Sequence, residues 1–340
     1  MLFIFIVALL IIVILVIYIS LNDTKKEDNN TKKINYKDTD FFNQLNNLYI
    51  QQEKILEIKR EFSKYIVSEN LINSIIVAIL ANHILVEVPL AKTKTILVLS
   101  KLLIDFKRVQ FTPDMLPADL IGEIYNKNIK FEVFNPIFTN LLLADEINRT
   151  TPKVQSLLEA MQEKKVTIKK TFKLPNLFFV MATQNPIEQE TFPLPEAQLD
   201  RFLFKVKVDY PSFQDEKQIL DKFDLNIDGI DSIISADDII SIQKEIQNIN
   251  LSENVKDYII NIVESTRKDD ENILLSSTRI ILKQASMVVA YLQKNEVDID
   301  DVKKIVLPVL RHRVVLSYNL SKNLDIDKLL ISKFIYVKDY

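Results

Sequence analysis

The chain has 340 residues, and 43 Lys plus Arg against 46 Asp plus Glu leave a formal charge of -3. That length accommodates two domains with buried cores, and that balance excludes a strongly basic nucleic-acid glove. With no Cys, and only His83 and His312 far apart, disulfides, iron–sulfur clusters and thiol nucleophiles are excluded, and His-based metal or serine–histidine sites are poor candidates. Glycine occurs twice, at Gly122 and Gly229, where average usage would give roughly 24. Glycine supplies the positive-φ positions of turns and phosphate loops, so the deficit bears on function.

Leu2 to Ile19 are 18 consecutive apolar or aromatic residues. As a helix they would be about 27 Å long, close to the hydrocarbon thickness of a bilayer. The stretch has no polar face for a soluble core helix, and no basic start or small-residue cleavage site for a signal peptide. Residues 1–20 are therefore expected to form a transmembrane helix. No Lys or Arg precedes it and Lys25, Lys26, Lys32 and Lys33 follow. A single-pass protein of the cell membrane with the rest of the chain in the cytoplasm is the expectation. Residues 21–40 are polar and read as a flexible tether.

From Phe41 onwards apolar runs alternate with amphipathic stretches, the pattern of an α/β domain with a parallel sheet. Ile84–Val88, Asn140–Ala144 and Leu177–Ala182 read as strands buried on both faces. Between the last two, Thr151 as N-cap and Pro152 at the first position predict a helix carrying Val154, Leu157, Leu158 and Met161 on one side. Val166–Ile168 and Thr171–Leu174 suggest a small hairpin. Beyond Pro211 the periodicity is helical, near 236–248, 252–267, 277–294 and 300–310.

The segment Leu141-Leu142-Leu143-Ala144-Asp145-Glu146 delivers two adjacent carboxylates at the C-terminal end of a buried strand, where open α/β sheets bind ligands. In a nucleotide hydrolase the first acid would hold Mg²⁺ and the second would orient or deprotonate the attacking water. The plainer reading is a strand ending in two solvated acids. A second strand runs into Thr183-Gln184-Asn185-Pro186, where an amide could position water; an Asn-Pro turn is the alternative. Arg201, after Leu194–Asp200, could reach a neighbouring subunit's nucleotide or could simply pair with Asp200.

LLLADEINR at Leu141–Arg149, TPKVQSLLEAMQE at Thr151–Glu163, VMATQNPIEQE at Val180–Glu190 and PLPEAQLDRF at Pro193–Phe202 together resemble the MoxR family of AAA+ ATPases. Arg108–Pro117, Ser277-Thr278-Arg279 and Leu307–Val315 extend the resemblance from about residue 50 to 335. It implies an α/β AAA+ core of the ASCE P-loop type over 41–210, with a parallel sheet, and a C-terminal helical lid over 211–340. It also implies ATP and Mg²⁺ bound between subunits of a homo-oligomeric ring, expected to be hexameric. By resemblance Asp145 takes Mg²⁺, Glu146 is the catalytic base, Asn185 is sensor 1, Arg201 is the trans-acting arginine finger and Arg279 is the sensor 2 arginine. Family members drive chaperone-like maturation of partners, typically proteins with von Willebrand factor A domains.

The phosphate loop departs from the family. Glu87-Val88-Pro89-Leu90-Ala91-Lys92-Thr93 matches the family string with both glycines gone. In this register Val88 to Thr93 would cradle the phosphates and Thr93 would join Asp145 on Mg²⁺. Backbone N–H groups must curl round the phosphates there, and each non-glycine residue forced into the left-handed region costs about 1–2 kcal/mol. Glycines are also missing around Glu190-Thr191, Asn135–Phe138 and Leu275–Arg279. Two accounts compete: a decayed loop, giving a non-hydrolysing AAA+-shaped scaffold, or glycines that the native protein contains and the sequence lacks. A DNA-acting motor is a third functional class. Its only support is the basic segment with Lys164, Lys165, Lys169, Lys170 and Lys173, which reads as a solvated face, so nucleic acid is not an expected partner. His83 reads as a packed core histidine, and Arg311-His312-Arg313 as structural or interfacial.

Overall fold

A computed structural model of the chain describes residues 53–63, 69–88, 106–121, 136–167, 171–185, 191–208, 232–267, 272–274, 278–293 and 296–316, with scattered positions within 96–104 and at 213 and 217. Contacts divide the chain into Met1–Asp40 and Phe41–Tyr340, and every element below belongs to the second unit. The expected span Leu2–Ile19 and the tether 21–40 lie outside the described residues. Among the described residues no helix is long and apolar enough to cross a membrane.

Helices α1 (Glu53–Ser63) and α2 (Glu69–Ala81) come first. Leu71 to Leu80 of α2 are all buried, as required of a helix packed both on the sheet and beneath other helices. Then follow β1 (His83–Glu87), β2 (Phe106–Gln110), the short α3 (Pro117–Ile121) and β3 (Leu141–Asp145). The helix expected from Thr151 is broken into α4 (Pro152–Gln155), a 3-10 turn Ser156–Glu159, and α5 (Ala160–Glu163). Thr151 precedes α4 with extended backbone, but its side chain makes no capping bond; its carbonyl accepts from the N–H of Val154 and Gln155. The buried Gln155 donates Nε2–H to the carbonyls of Thr150 and Phe192, pinning this first turn to a loop instead of leaving it free to continue.

Strands β4 (Lys165–Thr167) and β5 (Thr171–Lys173) form the anticipated hairpin. After them come β6 (Phe179–Gln184), α6 (Glu196–Leu199) and β7 (Phe202–Lys207). The sheet order is β2-β3-β6-β1-β7 with every pair parallel. Strands β1 and β3 are buried along their whole length, which explains why they read as uninterrupted apolar runs. One face of the sheet, with Leu85, Leu142, Ala144, Val180 and Ala182, packs on Ile147, Val154, Leu158 and Met161. Helix α2 packs against β1 and β7.

The remaining elements are α7 (Ala236–Gln247), α8 (Glu253–Arg267), β8 (Asn272–Leu274), α9 (Thr278–Gln293), α10 (Ile299–Leu310) and β9 (Val314–Leu316). Two capping boxes set helix starts: Ser235 with Asp238, and Asp298 with Asp301. The β8–β9 antiparallel pair was not legible in the sequence. Helix α9 packs on α2 and α10 on β7, so the helical region lies directly against the sheet.

Candidate active site

Because all five strands run parallel, their C-terminal ends share one edge. The register sets Gln110 beside Asp145, and Glu87 beside Gln184. Asp145 and Glu146 therefore lie at this edge with Thr183, Gln184 and Asn185 of the neighbouring strand's end.

Asp145 is almost fully buried, and both its oxygens are engaged. Arg108 donates to Oδ2 from Nη2 at 2.5 Å and from Nε at 3.1 Å, and Thr183 donates to Oδ1 at 2.6 Å. Burying a carboxyl group is costly unless its oxygens are hydrogen-bonded, and these bonds meet that requirement. The same Thr183 hydroxyl accepts from the backbone N–H of Glu146 at 2.9 Å. Glu146 stands in the left-handed region at φ 56°, a conformation that costs a non-glycine residue about 1–2 kcal/mol. Its carbonyl accepts from the Arg149 N–H. Its Oε2 lies 3.1 Å from Arg149 Nη1 and 3.4 Å from Gln110 Nε2. The backbone reversal at Glu146 sends the two adjacent acids in different directions, one into the sheet edge and one towards solvent.

Asn148 Nδ2 donates to the Asn185 carbonyl at 2.9 Å, and the Asn148 carbonyl accepts from Phe192 N–H at 2.6 Å. The loop after β3 is thereby tied to the segment carrying Asn185, which is itself buried. On the other side, Glu87 takes Nε2–H of Gln184 at 2.6 Å and pairs with Lys205 at 2.8 Å. Val88 donates its N–H to Gln184 at 3.0 Å, so the chain leaves β1 beside the Asn185 segment. Pro89, Leu90, Ala91, Lys92 and Thr93 lie outside the described residues.

Arg201 and Arg279 are not joined to this constellation. Arg201 precedes β7, whose first residue is in register with His83 at the N-terminal end of β1. It therefore sits on the opposite edge of the sheet, roughly 13 Å along the strands at about 3.3 Å per residue. Its Nη1 donates to the Ala197 carbonyl and to Gln198 Oε1, and Nη2 is 4.0 Å from Glu159. It does not pair with Asp200, which is held by Arg313. Arg279 is exposed in the first turn of α9.

Arg108, Gln110, Arg149 and Thr183 belong to the site but carried no role in the sequence reading. Thr183 and Arg108 lay inside strings already singled out, and only the strand register reveals what they hold. His83 is buried, as expected. Its Nδ1 accepts from Val180 N–H at 3.1 Å and its Nε2 is 3.3 Å from the Met161 carbonyl; burial pushes its pKa down to about 4.

The donor chemistry suits Mg²⁺. Magnesium takes one or two carboxylates and fills its shell with water and phosphate oxygens. Asp145 is the carboxylate placed to supply such an oxygen, but Arg108 occupies its Oδ2, so an ion there requires the partly exposed Arg108 side chain to swing away. Among the described residues no group of three or more acids or histidines could form an all-protein metal cage.

A family model described as "ATPase family associated with various cellular activities (AAA)" matches residues 83–204. Over 248 residues the chain is 46% identical to the uncharacterised protein YeaC of Bacillus subtilis, covering 69% of this chain and 78% of that protein. It is 38% identical over 290 residues to the chaperone MoxR1 of Mycobacterium tuberculosis, covering 79% and 76%. The crystal structure of a candidate ATPase from Cytophaga hutchinsonii superposes with a TM-score of 0.72 at 35% identity, covering 82% of this chain and 94% of that one.

Proposed function

The chain belongs to the MoxR family of AAA+ ATPases, and from that premise we propose that it binds and hydrolyses ATP to drive chaperone-like remodelling of partner proteins. The observation that carries this reading is the divided pair of acids at the C-terminal sheet edge: Asp145 locked by Arg108 and Thr183, and Glu146 turned out beside Asn185's segment. Asp145, with Thr93, would hold Mg²⁺, which when bound would neutralise charge on the phosphates. Glu146 is the base that takes the proton from the attacking water, with Arg149 and Gln110 restraining its carboxylate until then. Asn185 orients that water. Lys92 contacts the phosphates, and Arg279 meets them from the helical lid.

The distance of Arg201 from its own chain's acids supports a ring, hexameric in this reading, in which Arg201 serves the neighbouring subunit. Partners with von Willebrand factor A domains, and anchoring in the cell membrane through Leu2–Ile19, complete the proposal. The test is steady-state hydrolysis by the full-length protein. Glu146→Gln should retain nucleotide binding while turnover falls at least about 100-fold, the range associated with loss of a general base. Undiminished turnover in that variant would reject the assignment. A second reading, a scaffold that cannot hydrolyse, rests on the shortened string Val88–Thr93. Absence of ATP binding by native rings would favour it.

A further inference from the structure

The sequence motif Arg311-His312-Arg313 has no part in the chemistry above, yet Arg313 is the largest fully buried side chain of the described residues. Arginine has five N–H donors and no acceptor, so its burial is tolerable only if those donors are met. Here they are. Nε donates to Asp200 Oδ1 at 3.0 Å. Nη2 donates to the carbonyls of Asp200, at 2.9 Å, and Phe202. Nη1 donates to the carbonyls of Leu203, at 3.2 Å, and Val309, at 2.7 Å. Four of these five acceptors belong to residues 200–203, the residues that flank Arg201 on both sides.

His312 lies against the same groups: in one tautomer its Nε2 donates to the Phe202 carbonyl at 3.1 Å, and in the other it accepts from Arg313 Nη1 at 2.9 Å. Burial and the neighbouring guanidinium push its pKa well below the ordinary range and keep it neutral, while Arg313, lowered by burial to about 10, stays charged at neutral pH.

We propose that Arg313 is a positioning residue for Arg201: it fastens the backbone on either side of Arg201 to the end of α10, so that the helical region sets how Arg201 is presented to the neighbouring subunit. The inference rests on the reading of Arg201 as an arginine acting in trans. A lysine at 313 keeps the charge but has one ammonium in place of a planar fork, and it cannot span the Asp200 carboxylate and the successive carbonyls. A displacement of about 1 Å in a group that acts on the transition state costs on the order of 100-fold in rate.

Arg313→Lys is therefore expected to lower kcat for ATP by about 10- to 100-fold, with KM changed by less than about twofold. Co-expression with excess Glu146→Gln chain should restore turnover at the Arg313→Lys sites, because the neighbour then presents a correctly held Arg201. Arg201→Ala, in the same mixture, should behave alike. Wild-type kcat in Arg313→Lys, a defect confined to KM, or a loss that the Glu146→Gln chain does not rescue would overturn the proposal. Should Arg313→Lys fail to fold, Asp200→Asn removes the same ion pair and carries the same comparison. If Arg201→Ala alone leaves turnover unchanged, the trans-acting reading itself falls. If Arg201→Ala is defective and Arg313→Lys is not, only the positioning role falls.

Discussion

Replacing Thr183 by valine tests how the two acids are held apart. The Thr183 hydroxyl donates to Asp145 Oδ1 and accepts from Glu146 N–H, and the side chain is buried, so valine keeps the shape and deletes both bonds. A hydrogen bond to a charged group contributes about 1.5–3 kcal/mol, and an orphaned buried N–H costs about 1–3 kcal/mol. Against this, Glu146 released from its left-handed conformation regains about 1–2 kcal/mol. The net loss should be about 2–3 kcal/mol. For a unit the size of Phe41–Tyr340, at about 2.1 cal/mol/K per residue, that is a fall of roughly 3–5 °C in melting temperature. Thermal or urea unfolding of nucleotide-free protein measures it, with Thr183→Ser as the control that keeps the hydroxyl and should melt close to the wild type. Turnover should fall along with stability in Thr183→Val, because the relaxed Glu146 no longer faces the water it must deprotonate. A valine variant that melts within a degree of wild type and hydrolyses ATP normally would refute the view that this one hydroxyl organises both acids.

Burial holds His83 neutral to about pH 4, whereas in the unfolded chain it titrates near 6.5. Between those values the unfolded state binds the extra proton, so stability falls as pH falls, by roughly 3 kcal/mol from this group across the window, with His312 acting in the same direction; a urea midpoint flat from pH 7 to 4.5 would contradict it. Lys92→Ala should weaken ATP binding at least about tenfold in a titration, as the loss of a direct charge on phosphate requires; unchanged affinity would move the phosphate contact to another lysine, such as Lys94. The mass of the native full-length protein should exceed 39.5 kDa by whole glycine residues if the loop glycines are present in the cell, and agreement with 39.5 kDa would leave the shortened loop as the true one.

Much of the fold could be read in advance because its signals are local. Helical periodicity placed the C-terminal helices within a residue or two of α7 to α10. Apolar runs located β1, β3 and β6 because strands covered on both faces cannot carry polar alternation. β2 escaped notice because Phe106-Lys107-Arg108-Val109-Gln110 lies at the sheet's edge, where Lys107, Arg108 and Gln110 are exposed and only Val109 is buried. The acids Asp145 and Glu146 stood out by their place after an apolar run. Their partners did not, since Arg108 and Thr183 are 37 and 38 residues away in sequence and meet Asp145 only through parallel register.

Residue order thus determined the chemistry on offer: which acids, which amide and which arginines exist, and on what kind of element each stands. Tertiary packing decided which of them act together. Parallel pairing gathered Asp145, Glu146, Thr183 and Asn185 at one edge and left Arg201 at the other, and the docking of α10 on β7 placed Arg313 against residues more than a hundred positions earlier. Backbone periodicity extends over a few residues, whereas sheet register and buried ion pairing join segments of any separation, so the first is written locally and the second appears only once the chain has closed on itself.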